Sequence, residues 1–395
     1  MRATNRIAKY VMSRWYRVVL CICLFFVVNS VQCKRRLKIL MIVTKFPYSL
    51  QTFIINQIEG LIERGHDLYI LAEKNVDKKL PPQLMKYNFS GKVFFGNIPS
   101  GYKQFDIIYG QLASHGKRCL KLKQECGLNA KLVVSFRGYA TTVFLKKNPH
   151  IYDDVFQQVD LCLPVCDYLK EYLISYGCPI EKITVMPSAI NCDQFVPYKK
   201  SFGSKRKIKI ITVARLVEQK GLIYSIDAVA RLTKEHPNVE YIIVGDGKLK
   251  KLLEKQIKML GMQGTIHLIG EKSHLEVGAL LQSSDIFLLA PITSQNYAQE
   301  GIPNALKEAM ACQLPVVSTF HAGIPEVVEH GISGFLVTEQ NVFGLVDRLS
   351  YLISHPELWH IMGKAGREKI LATYEKEMLN DKLEQIFLDL CSHII

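Results

Sequence analysis

Residues 298–311 read Ala-Gln-Glu-Gly-Ile-Pro-Asn-Ala-Leu-Lys-Glu-Ala-Met-Ala and hold two carboxylates eight positions apart, Glu300 and Glu308. Apolar residues at helical spacing follow Pro303, which suits the first position of a helix because its missing N–H is not needed there. The pattern therefore predicts a helix that begins at Pro303. Glu300 would lie just before this helix, and Glu308 about one and a half turns inside it.

Three backbone N–H groups, those of Gly301, Ile302 and Asn304, are predicted to lie between the two carboxylates without helical partners. Such amides bind anionic oxygen, and carboxylates accept hydrogen bonds from hydroxyl groups. This combination suits a ligand that has both phosphate and hydroxyls, such as a nucleotide sugar. The spacing alone is also explained by acidic residues that favour a helix start through the helix dipole.

Composition limits the architecture and the partners. The chain has 395 residues, of which 48% are hydrophobic, and this is enough for two domains. The formal net charge is +14, but residues 1–38 hold nine Lys or Arg and no acid, so the rest of the chain is only mildly basic. A basic N-terminal arm favours contact with an anionic membrane surface over contact with nucleic acid.

The N-terminal arm, residues 1–36, also contains a continuously apolar run at 18–28. This run is shorter than the roughly 20 residues of a spanning helix, so we expect a membrane-associated arm or a signal anchor. Its order of basic and apolar segments also resembles a signal peptide. The eleven cysteines have no CxxC pair, which indicates reduced thiols and a cytoplasmic location at the face of the membrane.

Strand-like and helix-like segments alternate from residue 37 onward. Buried parallel strands are predicted at 37–43, 68–72, 107–109, 131–136, 161–165, 208–213, 240–244, 265–268, 286–289, 315–319 and 334–337. Helices are predicted between strands, among them 52–65, 222–233 and 249–260. This alternation indicates an α/β protein with two Rossmann-like, doubly wound domains.

The polar, turn-rich segment 198–207 is predicted to link an N-terminal domain at 37–197 to a C-terminal domain at 208–373. The last segment, 374–395, is an amphipathic helix. Its apolar residues are expected to face inward, namely Met378, Leu379, Leu383, Ile386, Phe387 and Leu390. From sequence alone this helix either packs on the second domain or crosses back to the first.

Loops after the strands of the second domain carry charged side chains, and ligands of such sheets bind at this edge. Arg215 and Lys220 follow the first strand, and their two cations suit a diphosphate. Gly245-Asp246-Gly247 follows the second strand, but Lys250 stands at the third glycine position of the dinucleotide fingerprint. A dehydrogenase is therefore excluded, and the glycines are taken as a tight turn that permits close backbone approach.

Several motifs in order carry a family resemblance: ARLVEQKG (214–221), VGDG (244–247), EGIPNALKEAMA (300–311), LPVVST (314–319), HAGIPEVV (321–328) and HGISGFLV (330–337). The series resembles the retaining glycosyltransferases of family 4, which have the GT-B fold. Within that family it is similar to bacterial exopolysaccharide enzymes of the colanic-acid type. The resemblance extends from about residue 37 to the C-terminus and is strongest over 214–337.

The resemblance implies a role for each matching residue. Arg215 and Lys220 would neutralise the donor's diphosphate and stabilise the leaving nucleotide diphosphate. Glu308 would bind the ribose hydroxyls, and Glu300 the hydroxyls of the donor sugar. The loop around Gly270–Leu275 would hold the base. The remaining implied substrate contacts in this domain are Gly301, Ile302, Pro303 and Gly245.

The N-terminal domain is implied to be the acceptor side, and it departs from the family pattern. Arg137 and Gly138 stand where a His-Gly pair is common, and we expect both to contact substrate. The Arg137 guanidinium replaces the imidazole of that histidine, so acceptor choice is expected to differ. His115 lies near an acceptor-side loop, where a structural role is also expected for a lone histidine. The C-terminal helix is implied to cross back to this domain.

Together these features predict a retaining, membrane-associated glycosyltransferase. It would move a hexose from a UDP- or GDP-sugar to a lipid-linked glycan in envelope or exopolysaccharide biosynthesis. The resemblance also implies that no metal or other cofactor is needed, because protein cations and a helix terminus take that role in such enzymes, and the absence of a DxD triplet from the chain fits this. Two alternatives remain open: a nucleotide-sugar epimerase on the same fold, and a non-catalytic nucleotide-sugar-binding homologue.

Overall fold

The computed structural model describes residues 35–48, 51–76, 79–99, 101–102, 104–126, 129–198 and 207–392. The chain divides into two compact units, residues 1–37 and residues 38–395. All helices and strands in the described ranges belong to the second unit. The expected membrane-associated arm lies outside the described residues except for Arg35 and Arg36, which belong to no helix or strand.

The N-terminal half of the second unit contains a six-stranded parallel sheet in the order β3-β2-β1-β4-β5-β6. Its strands are β1 (Lys38–Lys45), β2 (Asp67–Lys74), β3 (Val93–Phe95), β4 (Ile107–Gly110), β5 (Lys131–Phe136) and β6 (Leu161–Pro164). The helices of this half are α1 (Thr52–Glu63), α2 (Gly116–Cys126), α3 (Gly138–Lys147), α4 (Asp153–Gln158) and α5 (Asp167–Ser175). The interior of β1 is fully buried because helices cover both faces of such a sheet.

The C-terminal half contains a second six-stranded parallel sheet in the order β12-β11-β10-β7-β8-β9. Its strands are β7 (Ile208–Val213), β8 (Val239–Val244), β9 (Ile266–Leu268), β10 (Ile286–Leu288), β11 (Val316–Thr319) and β12 (Gly334–Val337). Its helices are α6 (Leu222–Leu232), α7 (Lys250–Met259), α8 (His274–Ser283), α9 (Asn304–Ala311), α10 (Ile324–Val327), α11 (Val342–Ser354) and α12 (Glu357–Thr373). Ile210 and Ile211 of β7 belong to different core clusters, so both faces of this sheet are buried.

The two sheets have the same topology when the second is followed from β9 to β12. This is the order of doubly wound nucleotide-binding folds, which hold ligands beyond the carboxyl ends of the strands. The predicted α/β fold with two such domains is therefore confirmed. Strand β3 was not predicted, because three residues with only Phe94 buried leave no continuous apolar run.

The last helix, α13 (Lys376–Ser392), packs on α1 of the N-terminal half, so the expected crossing back is confirmed. The ring of Phe387 meets Tyr109 at 5.3 Å between centroids, and the Asn380 side chain donates to the Asn56 carbonyl at 3.2 Å. The prediction that Met378 faces inward is wrong, since this residue is 38% exposed. The start of α13 instead meets α1 through charged groups, including Lys376 and Glu59 at 3.1 Å.

Candidate active site

Lys220 and Glu300 form an ion pair at the carboxyl edge of the second sheet. Lys220 ends a short 3-10 turn after β7, and Glu300 precedes α9. The distance from Lys220 Nζ to Glu300 Oε2 is 2.9 Å, and the two side chains are 10% and 16% exposed. The fold thus brings together two predicted site residues that are far apart in sequence.

Charge around Glu300 keeps its carboxylate ionised. Burial acts to raise the pKa of Glu300, but the Lys220 ammonium, with Arg215, outweighs this and holds the pKa below its usual range. Arg215 is exposed and lies close enough to act on the Glu300 charge. Arg215, Lys220 and Glu300 therefore form one electrostatic group, as their positions after strands predicted.

His321, which was not among the predicted site residues, holds the Glu300 backbone. The Glu300 N–H donates to His321 Nε2 at 3.0 Å, so the ring proton lies on Nδ1. That nitrogen donates to Glu339 Oε1 at 2.6 Å, and the Thr293 N–H donates to the same carboxylate at 2.8 Å. The sequence signals for His321 were its position in the loop after β11 and its place at the start of the HAGIPEVV motif.

Helix α9 begins one residue later than predicted. Pro303 has an extended ψ of 128° and is the N-cap, and Asn304 is the first helical residue. The proline still starts the helix well, because its fixed φ suits the residues around an N-terminus. No hydrogen-bond partner is found in the described part of the chain for the N–H groups of Gly301, Ile302 and Asn304. These amides are available to anionic oxygen, as the sequence argument expected.

Glu308 lies on α9 in a second group, beside His274. Its Oε1 is 3.2 Å from His274 Nε2, and the residue is 6% exposed. His274 Nδ1 is 3.2 Å from Gln194 Oε1, and its ring meets Phe195 edge-on at 4.9 Å. The two acids of the motif thus have different partners: Glu300, before α9, pairs with Lys220, and Glu308, inside α9, pairs with His274.

The N-terminal half reaches this edge through the start of α3. A methyl group added at Gly138 would lie 2.9 Å from the Gln299 carbonyl oxygen and 3.3 Å from the Gly301 nitrogen. Gly138 is therefore packed against the loop that holds Glu300. Its absence of a side chain allows this approach.

Arg137 is held by neutral groups of its own half. Its Nη1 donates to Ser188 Oγ at 2.6 Å and its Nε to the Gln111 carbonyl at 3.3 Å. The guanidinium also lies 4.1 Å from the centroid of the Phe53 ring. His115 is buried and lies 3.1 Å from Thr44 Oγ1 through Nε2, which fits the structural role considered for it. Burial is the main cause that lowers the pKa of His115 to about 4.

Gly245 and Gly270 contact each other. The Gly245 N–H donates to the Gly270 carbonyl at 2.8 Å, and a methyl group at Gly245 would lie 2.0 Å from the Ala214 carbonyl oxygen. The predicted close backbone approach at Gly245 is therefore to the loop that leads to Arg215. Gly270 faces open space, so a ligand can reach it.

Lys307 is a buried cation that sequence reasoning did not single out. It is 1% exposed, its Nζ donates to the Ser188 carbonyl, and it lies 5.0 Å from the centroid of the Tyr374 ring. Burial lowers the pKa of Lys307 to about 7, against the opposite effect of the Glu308 charge. Since Ser188 precedes the linker, this contact joins the two halves.

Glu326 makes a second connection between the halves. Its carboxylate accepts hydrogen bonds from the N–H groups of Asp167 and Tyr168, at 2.9 and 2.8 Å, at the start of α5. An acid of the second half thus occupies the N-terminus of a helix of the first.

Within the described ranges no group of three or more His, Cys, Asp or Glu side chains is placed to hold a metal ion. None of the helices in those ranges is both long and apolar enough to cross a bilayer. The seven cysteines whose side chains are described are all buried free thiols.

Two doubly wound sheets, with a charged loop site at the edge of the second, define a class of fold, GT-B. HepE of Anabaena, solved with UDP and glucose, superposes with a TM-score of 0.73 over 90% of this chain and all of that chain, at 17% identity. Sucrose-phosphate synthase of Thermosynechococcus elongatus gives 0.76 over 90% of this chain and all of that one, at 15% identity. These likenesses show the fold.

Sequence comparison identifies the family. The model of glycosyl transferases group 1 matches residues 197–369. The amylovoran biosynthesis glycosyltransferase AmsK of Erwinia amylovora is 30% identical over 77% of this chain and 87% of its own length. WcaL of Salmonella typhimurium, whose name places it in colanic acid biosynthesis, is 29% identical over 89% of this chain and 99% of its own. The chain belongs to the group 1 glycosyl transferases and is a glycosyltransferase.

Proposed function

We propose that this protein is a retaining hexosyltransferase that moves a hexose from a nucleotide-diphosphate sugar to a lipid-linked glycan. The observation that carries the proposal is the Lys220–Glu300 pair with Arg215 beside it, next to amides for which the described residues provide no partner. Positive charge and N–H groups suit a diphosphate, and a neighbouring carboxylate suits the sugar that it carries.

Each group would act on a different part of the donor. Arg215 and Lys220 stabilise the negative charge that develops on the leaving diphosphate, which is a large contribution when the groups are already in place. Gly301 and Ile302 add backbone N–H groups, and Pro303 fixes the start of α9 behind them. Glu300 binds hydroxyls of the hexose. His321 and Glu339 keep the Glu300 backbone in position.

The nucleoside would lie along the other group. Glu308 accepts hydrogen bonds from the ribose hydroxyls while His274 orients its carboxylate. The open loop that starts at Gly270 holds the base. With this arrangement UDP or GDP is the expected nucleotide, and HepE, which shares the fold, was solved with UDP.

Transfer with retention would use attack on the same face of the hexose from which the diphosphate departs. The departing phosphate oxygen takes the proton of the acceptor hydroxyl, so the nucleophile needs no further base. The protein cations neutralise the diphosphate, and on this ground we propose that the reaction needs no divalent metal. Arg137 and Gly138 are proposed to contact substrate from the acceptor side.

The acceptor and the pathway are proposed from the relatives. AmsK and WcaL are named for amylovoran and colanic acid biosynthesis, so a role in exopolysaccharide or envelope glycan assembly is proposed here. A lipid-linked acceptor agrees with a basic, apolar N-terminal arm that would hold the enzyme at the cytoplasmic face of the membrane.

A donor screen tests the function directly. The full-length protein is incubated with a panel of UDP- and GDP-hexoses in the presence of EDTA, with and without membrane lipid extract. We expect nucleotide diphosphate release with one donor, and a product whose anomeric coupling in proton NMR matches that of the donor. Epimerised donor without diphosphate release would indicate an epimerase, and binding without any turnover would indicate a non-catalytic homologue.

A further inference from the structure

A cavity of about 160 Å³ lies between the start of α3 and the loops of the second sheet. Tyr139 lines it from the N-terminal half, and Arg215, Gln219, Lys248 and Asn296 line it from the C-terminal half. Ligand pockets for drug-sized molecules usually measure about 300–1,000 Å³, so this cavity suits one monosaccharide unit.

The groups around the cavity match the chemistry of a sugar with a negative charge. Tyr139 is 46% exposed and offers an aromatic face to the apolar side of a sugar ring. The Gln219 side chain is 7% exposed and has no hydrogen-bond partner in the described part of the chain. Asn296 uses its Oδ1 to accept from Ser294 and Ala298, so its amide N–H₂ is left to bind oxygen.

Lys248 adds a positive charge to the cavity wall, and it has no role in the proposed donor site. No ion-pair or hydrogen-bond partner of its ammonium is found among the residues that the structure describes, whereas nearby Lys250 is paired with Asp246 at 3.5 Å. The only carboxylate on the cavity wall, Glu218, already accepts a hydrogen bond from the Gln295 N–H at 3.0 Å. The cavity thus has an excess of positive charge.

Position relates the cavity to the reacting sugar. Arg215 belongs both to its wall and to the group around Glu300. Tyr139 follows Gly138, which is packed against the Glu300 loop. A ligand in the cavity therefore lies beside the proposed donor site, on the side bounded by the N-terminal half.

We infer that this cavity is the acceptor subsite and that the acceptor sugar carries an anionic group. The sugar ring lies on Tyr139, its hydroxyls bind Gln219 and Asn296, and its carboxylate or phosphate pairs with Lys248. The inference rests on the proposed function, because it places the acceptor next to a nucleotide-sugar donor.

Binding of matched saccharides tests this inference without requiring turnover. The full chain is saturated with UDP or GDP, and saturation-transfer NMR titrations are run with methyl glucoside, methyl glucuronide and methyl glucoside 6-phosphate. We expect the wild type to bind one or both anionic sugars about tenfold more tightly than methyl glucoside. Preference for the glucuronide indicates a uronic acid, and preference for the phosphate indicates a phosphorylated acceptor.

Three variants locate the effect. Lys248→Gln should bind the neutral and anionic sugars equally, and Tyr139→Ala should weaken all three about tenfold. Lys250→Gln is the matched control, because it removes a cation two positions away that does not line the cavity, and it should keep the preference. Equal binding of the three sugars by the wild type, or a preference that survives Lys248→Gln, would overturn the inference.

The nucleotide separates failure of this inference from failure of the proposed function. If neither UDP nor GDP binds, the proposed function is wrong. If a nucleotide binds and no sugar does, the acceptor subsite alone is wrong. If Lys248→Gln weakens nucleotide binding as much as sugar binding, the cavity belongs to the donor and the inference is again wrong.

Discussion

The two halves have the same strand order but use their loops differently. In the C-terminal half, the loops after β7 and β10 bring together Lys220, Glu300 and free amides. In the N-terminal half, Arg137 at the end of β5 bonds to neutral groups of its own half, and Gly138 packs against the other half. The scaffold therefore does not decide the chemistry; the charges in the loops do.

The largest expected effect is on the rate of hexose transfer, which should depend far more on a cation of the C-terminal half than on a cation of the N-terminal half. Lys220→Gln should lower the rate of hexose transfer on the order of 10²- to 10³-fold, because a positioned cation no longer meets the diphosphate. Arg137→Gln, the matching loss of charge in the N-terminal half, should lower it only about tenfold. Initial rates of nucleotide diphosphate release measure both, and equal losses would remove the distinction between the halves.

The second effect tests how His321 positions Glu300 within the C-terminal half. His321→Ala removes the acceptor of the Glu300 N–H and should lower kcat about 100-fold with little change in donor KM, since the loss falls on sugar orientation. His321→Gln keeps an acceptor oxygen and should recover part of that rate. If His321→Gln is as slow as His321→Ala, the hydrogen bond to Glu300 is not the cause.

A third effect lies where the halves meet. Lys307 has its pKa lowered to about 7 by burial, so between that pH and its usual pKa the unfolded chain binds one proton more than the folded chain. Lys307 therefore lowers the free energy of unfolding at low pH. This penalty decreases by up to about 1.4 kcal/mol per pH unit as pH rises above 7. Lys307→Met should be more stable than the wild type at pH 6, and its advantage should shrink toward pH 9.

Urea unfolding of both proteins at pH 6, 7.5 and 9 measures this trend. Besides burial, Glu308 on its own helix and the Cys166 side chain act to raise the pKa of Lys307, and Arg137 from the other half acts to lower it. If the stability advantage of Lys307→Met over the wild type stays constant between pH 6 and pH 9, Lys307 does not titrate in that range.

The smallest effect concerns the helix that returns to the N-terminal half. Gly→Ala in a helix normally stabilises by about 1 kcal/mol, but a methyl group at Gly60 would lie 2.2 Å from the buried Asn380 side chain. Gly60→Ala should therefore destabilise the protein by about 1–2 kcal/mol. Asn380→Ala in the same protein should relieve most of that cost, and additive losses would contradict the contact.

Sequence patterns predicted every strand of the two sheets except β3. The strands at 131–136, 208–213 and 334–337 match to the residue, because a parallel strand covered on both faces is a largely apolar run. The face of α13 was harder to predict. Its partner α1 presents buried polar groups, including Asn56 and Glu59, so an apolar stripe alone did not show which residues turn inward.

The site was predictable where it followed strand ends and not where it needed pairing in space. Arg215, Lys220 and Glu300 each follow a strand of the second sheet, and parallel strands bring such positions to one edge. The bonds from His321 to Glu300 and Glu339, and from Lys307 to Ser188, depend on which side chains meet across loops. No spacing in the sequence encodes those meetings.

Calorimetric titration of UDP and GDP tests the central claim, that the loops of the C-terminal sheet bind the donor. We expect the wild type to bind one of the two nucleotides. Arg215→Ala and Glu308→Ala should each weaken binding at least about tenfold, whereas Arg137→Gln should change it less than about twofold. Unchanged affinity in both C-terminal variants, or an equal loss in Arg137→Gln, would contradict the claim.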